Sequence, residues 1–316
     1  MLIDLSYILL GFLLLTAGAE LLVSGAAQLA ARWGVRPMVI GLTIVALGTS
    51  APEMAASLAA SVLGSGDIAV GNVVGSNIGN IGLALGLATL IRPLTVHSRL
   101  IRIEVPFLIA ISGLIYLVSF TGFIPRWLGL ALLLGLCGYL LFLYRWSRNE
   151  GPECAAPYAG DDKKPQSLSA NVLKVLLGLA GLVGGGHLLV EGAVGLARWA
   201  GISELVIGLT VVAIGTSLPE VVTSLVAVWR GQVDIAIGNV LGSNLFNILA
   251  VLGGAALIRP ITVQKVLVVR DLPVMGLMTL LLFPILRSGF VLRRWEGIVF
   301  LTIYIAYIGA LAIGYG

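Results

Sequence analysis

Two stretches of the sequence are copies of each other, and this internal repeat constrains the fold more than any other feature. Residues 41–96 and 208–263 align without a gap at a constant offset of 167 and are identical at 34 of 56 positions. Both copies end alike, in IRPLTV and IRPITV. Apolar low-complexity sequence does not keep polar positions identical over this length, so we predict two units of the same architecture.

Each unit is made mainly of apolar runs long enough to cross a bilayer, which takes about 20 residues. The chain of 316 residues is 59% hydrophobic and 11% charged, whereas roughly a quarter of a soluble domain is charged. Polar joints separate the runs and predict ten membrane-spanning helices. The predicted limits are 3–30, 37–62, 68–91, 101–119, 124–145, 171–197, 203–229, 235–258, 268–286 and 292–314.

The number of spans per unit predicts how the two units are related. Five is an odd number, so the second unit must enter the membrane from the opposite side and run inverted. The predicted fold class is therefore an all-α polytopic membrane protein with ten transmembrane helices in two inverted five-helix repeats. We assign residues 1–146 to the first repeat, 147–170 to a linker and 171–316 to the second repeat. Secondary transporters have this architecture.

Positive charges predict the orientation. Of the 19 Lys and Arg residues, 14 fall on the side of the linker and five on the side of both termini. Because positive loops stay in the cytoplasm, both termini are predicted to lie outside and the linker inside. Basic residues scattered at helix ends argue against a nucleic-acid-binding face. A compact chain with no regulatory domain suggests a prokaryotic plasma membrane, that is, the inner membrane.

Two glutamates are expected in the membrane without a protein partner. Glu53 and Glu220 lie near the middle of the second and seventh predicted spans, where an ionised side chain costs at least about 2.5 to 3.5 kcal/mol. No Lys or Arg lies near either glutamate within its span. The neutralising partner is therefore predicted to be a cation from solution.

Neutral oxygens accompany both glutamates. A threonine and a serine precede each glutamate by four and three residues and share its helix face, and the proline directly before it removes a backbone hydrogen bond. Carbonyls around residues 46–48 and 213–215 are thus expected to be unsatisfied and to line a cavity. In the third and eighth spans, a serine and an asparagine four apart face one way. These residues are Thr49, Ser50, Pro52, Ser76 and Asn80 in the first repeat, and Thr216, Ser217, Pro219, Ser243 and Asn247 in the second.

This set of ligands favours hard cations. Ca2+ takes six to eight oxygen ligands, whereas zinc or copper would call for Cys or His, which both copies of the repeat lack. The two cysteines, Cys137 and Cys154, have no metal-ligand spacing. Close helix packing alone would explain the repeated glycines and alanines, but not the paired Glu, Asn, Ser and Thr.

With GTSxPE followed by GNxxGSN in both copies, the sequence resembles the Na+/Ca2+ exchanger branch of the cation/calcium antiporter superfamily. The resemblance implies an antiporter, not an enzyme, that exchanges Na+ for Ca2+ by alternating access, with its first and sixth helices sliding across a rigid core. It implies no cofactor beyond the transported ions and no partner beyond the bilayer, and one monomer suffices for the site.

The resemblance also implies a midplane site whose oxygens both ions use in turn. Its members are Glu53, Thr49, Ser50, the Ala46 carbonyl, Ser76 and Asn80, with Glu220, Thr216, Ser217, the Ala213 carbonyl, Ser243 and Asn247. Some relatives carry an aspartate where this chain has Asn247, so only two carboxylates are expected here.

Two rival functions remain open. Coupling to H+ or K+ would keep the fold, because glutamates can carry protons. An intramembrane hydrolase would use Glu53 and Glu220 as acid and base, although neither a nucleophile elbow nor an HExxH motif supports it.

Other ionisable residues in or beside the spans are also candidates for roles. Glu20, His187 and Glu191 lie within predicted spans and are functional candidates for that reason. Asp67 and Asp234 open the third and eighth spans and are predicted to cap those helices.

Overall fold

The structure, a computed structural model, describes residues 2–149, 167–199 and 213–314, which are helical almost throughout. The first repeat contains α1 (Leu2–Trp33), α2 (Pro37–Thr49), α3 (Ala51–Val62), α4 (Gly66–Ile91), α5 (Leu100–Ser119) and α6 (Arg126–Asn149). The second contains α7 (Leu168–Trp199), α8 (Ala213–Thr216), α9 (Leu218–Trp229), α10 (Val233–Ile258), α11 (Leu267–Arg287) and α12 (Arg294–Gly314).

The helices follow the predicted spans. Within the described residues, eight helices are long and apolar enough to cross a membrane, and the bent pair α2 and α3 makes a ninth. The seventh predicted span, 203–229, is described only from Ala213 onward, where α8 and the 12-residue α9 form its end. Most of the predicted linker 147–170 also lies outside the described residues.

Four two-residue strands depart from the predicted all-α structure. β1 (Leu94–Thr95) pairs antiparallel with β4 (Val291–Leu292), and β2 (Phe123–Ile124) pairs antiparallel with β3 (Ile261–Thr262). β1 and β3 follow prolines 93 and 260, which cannot continue the preceding helices because they lack the amide donor. Each pair connects the first repeat to the second.

Glycines hold the first helices of the two repeats together. α1 carries Gly11, Gly18 and Gly25, and α7 carries glycines 167 positions later, at 178, 185 and 192. A Cβ at Gly18 would lie 2.8 Å from the Gly178 carbonyl oxygen, and lower numbers in α1 meet higher numbers in α7. The two helices therefore pack antiparallel, with a backbone approach that only glycine allows.

The centre of the molecule is formed by α4 and α10, which carry the second motif of each repeat. Of the 18 most apolar consecutive residues of each helix, 72% are buried in α4 and 94% are buried in α10. Both helices change to π-helical geometry at a predicted site residue, over Asn80–Leu85 and Asn247–Leu252. Such π-helical turns are frequent at functional sites because they redirect side chains and loosen the backbone ladder.

Candidate cation-binding site

The first motif of each repeat is a helix broken at a serine. α2 ends at Thr49 and α3 begins at Ala51, and the two axes are bent by 48°. Ser50 at the break has φ −81° and ψ 7°, and Ser217 has φ −86° and ψ 2°. A proline in the first turn of α3 and of α9 enforces each break. Glu53 and Glu220 therefore lie in the first turn of a helix, where the dipole favours negative charge.

One expectation about the break is wrong. The Ala46 carbonyl is not left without a partner, because it accepts the Ser50 N–H at 3.0 Å, and the Thr49 hydroxyl oxygen lies 3.3 Å from it. The chain turns tightly enough at Ser50 to keep this hydrogen bond across the bend. Ala46 can contribute to a cation site only through a carbonyl oxygen that is already hydrogen-bonded. Ala213 is the first described residue of α8.

The two glutamates come together at the interface of the repeats. Ser50 donates a hydrogen bond of 3.0 Å to Oε1 of Glu220, and Glu53 lies in the first helical turn after Ser50. Glu53 is 0% exposed and Glu220 is 1% exposed. Both carboxylate oxygens of Glu53 and Oε2 of Glu220 are buried without a hydrogen-bond partner. Within the described part of the chain, neither glutamate has an ion pair.

Two other buried carboxylates give an internal comparison. Glu104 in α5 and Asp271 in α11 are related by the same offset of 167 residues. Nη2 of Arg99 lies 3.1 Å from Glu104, and Arg270 contacts Asp271 through Nε at 2.9 Å and Nη2 at 3.1 Å. These two carboxylates are thus neutralised by arginines of the protein. Glu53 and Glu220 have no such partner among the described residues.

Serine and threonine hydroxyls cross between the repeats at the same place. The Thr49 hydroxyl donates to Oδ1 of Asn239 at 3.1 Å and lies 3.4 Å from the Ser243 hydroxyl. The Ser217 hydroxyl lies 3.4 Å from that of Ser76. Each contact joins the first motif of one repeat to the second motif of the other. The predicted hydroxyls are buried except that of Thr216, which is half-buried.

The two predicted amides present oxygens without partners. Nδ2 of Asn80 donates to Oδ1 of Asn244 at 3.0 Å, and Nδ2 of Asn247 donates to Oδ1 of Asn77 at 3.1 Å. Oδ1 of Asn80 and of Asn247 are both buried without a hydrogen-bond partner. An amide oxygen in a low-dielectric interior is costly when unsatisfied. An oxygen of this kind can act as a ligand for a hard cation.

The arrangement contains oxygen ligands and few charges. Among the described residues, no group of three or more His, Cys, Asp or Glu is arranged to hold a metal ion. In the helices α3, α4, α9 and α10, the buried oxygens without hydrogen-bond partners belong to the two glutamates, Asn80, Asn247 and the Thr223 hydroxyl. Hard cations accept such a mixture of charged and neutral oxygens.

The candidate ionisable residues within α1 and α7 have partners other than the two glutamates. Glu20 in α1 forms an ion pair with Arg230, which follows α9. Its repeat equivalent, His187 in α7, lies 3.8 Å from Glu191, and both of these side chains are exposed. The sequence singled out these residues, but the structure brings none of them into contact with Glu53 or Glu220.

Asp67 and Asp234 lie in the first turn of α4 and α10, where they complement the helix dipole. The prediction that they cap these helices is wrong, because the N-cap residues are Ser65 and Gln232 and, among the described residues, no side chain makes a cap hydrogen bond there. Each aspartate also contacts a side chain of the other repeat. Asp67 accepts a hydrogen bond from Gln264, and Asp234 lies 3.3 Å from Nε2 of His97. His97 and Gln264 are themselves related by the repeat offset.

Comparison with known proteins decides the family. The family model described as sodium/calcium exchanger protein matches residues 3–145 and 171–312. The chain belongs to the sodium/calcium exchanger family. It is 41% identical over 312 residues to the putative antiporter CaxA of Alkalimonas amylolytica, covering 97% of this chain and 98% of that protein. It is 39% identical to the inner membrane protein YrbG of Escherichia coli, covering 89% of this chain and 88% of that protein.

A solved structure of this exchanger family has the same fold. The sodium/calcium exchanger from Methanococcus jannaschii superposes with a TM-score of 0.83 at 33% identity, covering 98% of each chain. The present family member is thus a membrane antiporter of the cation/calcium class. Its relatives are transporters and not enzymes, which removes the hydrolase alternative.

Sequence reasoning about this antiporter missed two groups of residues. Asn72 donates to the Glu53 carbonyl at 3.2 Å, and Asn239 donates to the Glu220 carbonyl at 3.3 Å. Asn77 and Asn244, described above, form the second group. All four belong to the GNxxGSN motif and recur at the offset of 167, so their duplication was a signal available in the sequence. Their contacts were not, because each asparagine could donate or accept.

Proposed function

We propose that the protein exchanges Na+ for Ca2+ across a membrane, and that both ions bind in turn at the oxygens between the broken helices. The ligands come from both repeats and centre on Glu53 and Glu220. One Ca2+ or two Na+ balance the charge of two carboxylates. The proposal extends the family membership to a particular coupling ion and a particular site.

One observation carries this proposal. Four buried carboxylates lie in the helices α3, α5, α9 and α11, and the chain provides an arginine for Glu104 and Asp271. The carboxylates of Glu53 and Glu220 differ in having no ion pair among the described residues, and three of their four oxygens lack a hydrogen-bond partner, as do both oxygens of Glu104. Leaving ionised groups uncompensated in a membrane is expensive. A cation that binds there provides the missing charge, and an empty dianionic site resists reorientation across the bilayer, which makes exchange obligatory.

The packing of α1 against α7 supports alternating access. The two helices contact each other backbone to backbone through glycines along their lengths, so they behave as one body. Gly48 and Gly215, one residue before Thr49 and Thr216, face Leu179 and Val190 of α7. Movement of the helix pair along this surface opens the site to one side of the membrane and then to the other.

The positive charges of the joints support an orientation with both termini outside and the segment 147–170 in the cytoplasm. Similarity to a protein named as an inner membrane protein supports the same membrane here. The site is complete within one chain, so one monomer suffices for exchange.

Ion flux into proteoliposomes tests the proposal. The purified protein is reconstituted, and uptake of radioactive Ca2+ is measured under an outward Na+ gradient, an outward K+ gradient and a pH gradient, each imposed alone. We expect uptake under the Na+ gradient only. Uptake driven by the pH gradient or the K+ gradient instead would replace Na+ with that ion as the coupling ion, and no uptake under any gradient would overturn calcium antiport.

A further inference from the structure

Asn80 and Asn247 raise a problem that carboxylates do not have. A side-chain amide has an oxygen at one end and an NH2 group of nearly equal size at the other. Rotated by half a turn, it would aim hydrogens at a bound cation and repel it. An amide can serve as a ligand only if something outside the site holds its NH2 end.

The structure contains such a holder for each amide, contributed by the opposite repeat. The NH2 group of Asn80 donates to Oδ1 of Asn244 at 3.0 Å, and the NH2 group of Asn247 donates to Oδ1 of Asn77 at 3.1 Å. Asn77 is 1% exposed and Asn244 is 0% exposed. Hydrogen bonds are strong in such a low-dielectric environment, so each acceptor fixes one rotation of its partner.

The consequence is visible at the other end of each ligand amide. Oδ1 of Asn80 and Oδ1 of Asn247 are both buried without hydrogen-bond partners. If the purpose were only to satisfy polar groups, the opposite rotation of Asn80 and Asn244 would serve as well, since Nδ2 of Asn244 also lacks a partner. The observed rotation leaves both ligand oxygens available.

The two holders also contact each other. Nδ2 of Asn77 donates to the main-chain carbonyl of Asn244 at 3.4 Å and faces the Met275 sulfur at 3.8 Å. This contact fixes the rotation of Asn77 itself. Through Asn77, this contact between α4 and α10 also sets the orientation of Asn247.

We propose that Asn77 and Asn244 are positioning residues, which hold Asn247 and Asn80 so that their amide oxygens face the transported cation. The proposal rests on the proposed cation site and deepens it. Neither positioning residue is placed in contact with the ion. Each acts through the amide that it holds, as outer-shell partners of metal ligands do.

A double-mutant cycle on Ca2+ binding tests the proposal. Asn244→Leu removes the acceptor and keeps the branching of the side chain at Cγ, and we expect the Ca2+ dissociation constant of the purified protein to rise about 10- to 100-fold. Asn80→Asp replaces the amide by a carboxylate, which presents an oxygen in either rotation. In that background, Asn244→Leu should change the dissociation constant less than about threefold, which departs strongly from additivity. The pair Asn77→Leu and Asn247→Asp should behave in the same way.

The controls separate the possible failures. Ser112 in α5 lies outside the site, and its hydroxyl is also buried without a hydrogen-bond partner. Ser112→Ala should therefore leave Ca2+ binding unchanged. Equal losses from Asn244→Leu in both backgrounds would mean a purely structural role and overturn the positioning proposal. If the wild-type protein itself binds no Ca2+, the proposed function fails first. Equilibrium binding of radioactive Ca2+ gives these answers without assuming a coupling ion.

Discussion

The hydroxyl of Ser50 in the first repeat donates a 3.0 Å hydrogen bond to the Glu220 carboxylate in the second. The two residues are 170 positions apart, and the serine lies at the break between α2 and α3. One hydrogen bond thus connects the helix break of the first repeat to the glutamate of the second. It holds Oε1 of Glu220 and leaves Oε2 without a partner.

Removing this hydroxyl should weaken cation binding without removing charge. A hydrogen bond to a charged group contributes about 1.5 to 3 kcal/mol, so Ser50→Ala is expected to raise the Ca2+ concentration at half-maximal uptake about 10- to 100-fold. Proteoliposome uptake at varied Ca2+ measures this. Ser50→Thr keeps a hydroxyl and should recover most of the loss. An unchanged half-maximal concentration in Ser50→Ala would show that the bond has no part in binding.

The two glutamates should be essential for exchange. Glu53→Gln and Glu220→Gln each remove one of the two charges that balance Ca2+. Losing one partner of a buried charge interaction costs about 3 to 5 kcal/mol, so Na+-dependent Ca2+ uptake should fall at least about 100-fold. Both variants should still insert and fold.

Thermal unfolding distinguishes this loss from misfolding. In Ca2+-free buffer the two variants should melt no lower than the wild-type protein, because glutamine removes an uncompensated charge, and Ca2+ should no longer raise their Tm. Glu296→Gln is the matched control. Glu296 is also buried, but it accepts the Arg293 N–H at 2.6 Å, a role that glutamine retains. Near-normal uptake in both site variants would contradict the assignment.

Where a buried carboxylate pairs with an arginine, removing the arginine should destabilise the fold. Arg99→Leu leaves Glu104 buried without its ion-pair partner and should destabilise the protein by about 3 to 5 kcal/mol. The double variant Arg99→Leu with Glu104→Leu should recover most of that stability, because no unpaired charge remains. Melting temperatures of the purified proteins measure both effects. A single variant as stable as the double one would show that the pair does not neutralise Glu104.

Neighbouring glycines in α7 allow a matched test of helix packing. A Cβ at Gly185 would lie 2.7 Å from the Leu15 amide nitrogen and 2.8 Å from the Gly11 carbonyl oxygen, whereas one at Gly184 meets nothing within 4 Å. Gly185→Ala should therefore lower stability by about 1 to 3 kcal/mol through overpacking. Gly184→Ala should be neutral or stabilising, as alanine is favoured over glycine in helices. Melting temperatures that do not differ between the two would show that α1 and α7 can separate freely.

Much of the fold could be predicted because its signals are local. Span length, the 167-residue repeat and the proline before each glutamate lie in contiguous sequence, and the predicted spans correspond to helices where the structure describes them. The four short strands were missed because two-residue pairings between distant joints leave almost no local pattern. The Ala46 carbonyl was misjudged for a related reason, since the tightness of a turn depends on the packing around it.

The sequence by itself determined that the chain contains two inverted copies of one unit. It also determined that each copy contributes a glutamate with no basic residue near it in its membrane span. Tertiary structure alone decided that the two glutamates meet at the interface of the repeats and which way each buried amide is turned. The repeat and the lengths of the apolar segments can be read directly from the order of residues along the chain. Amide rotation depends on hydrogen bonds of about 3 Å between residues that are 164 and 170 positions apart.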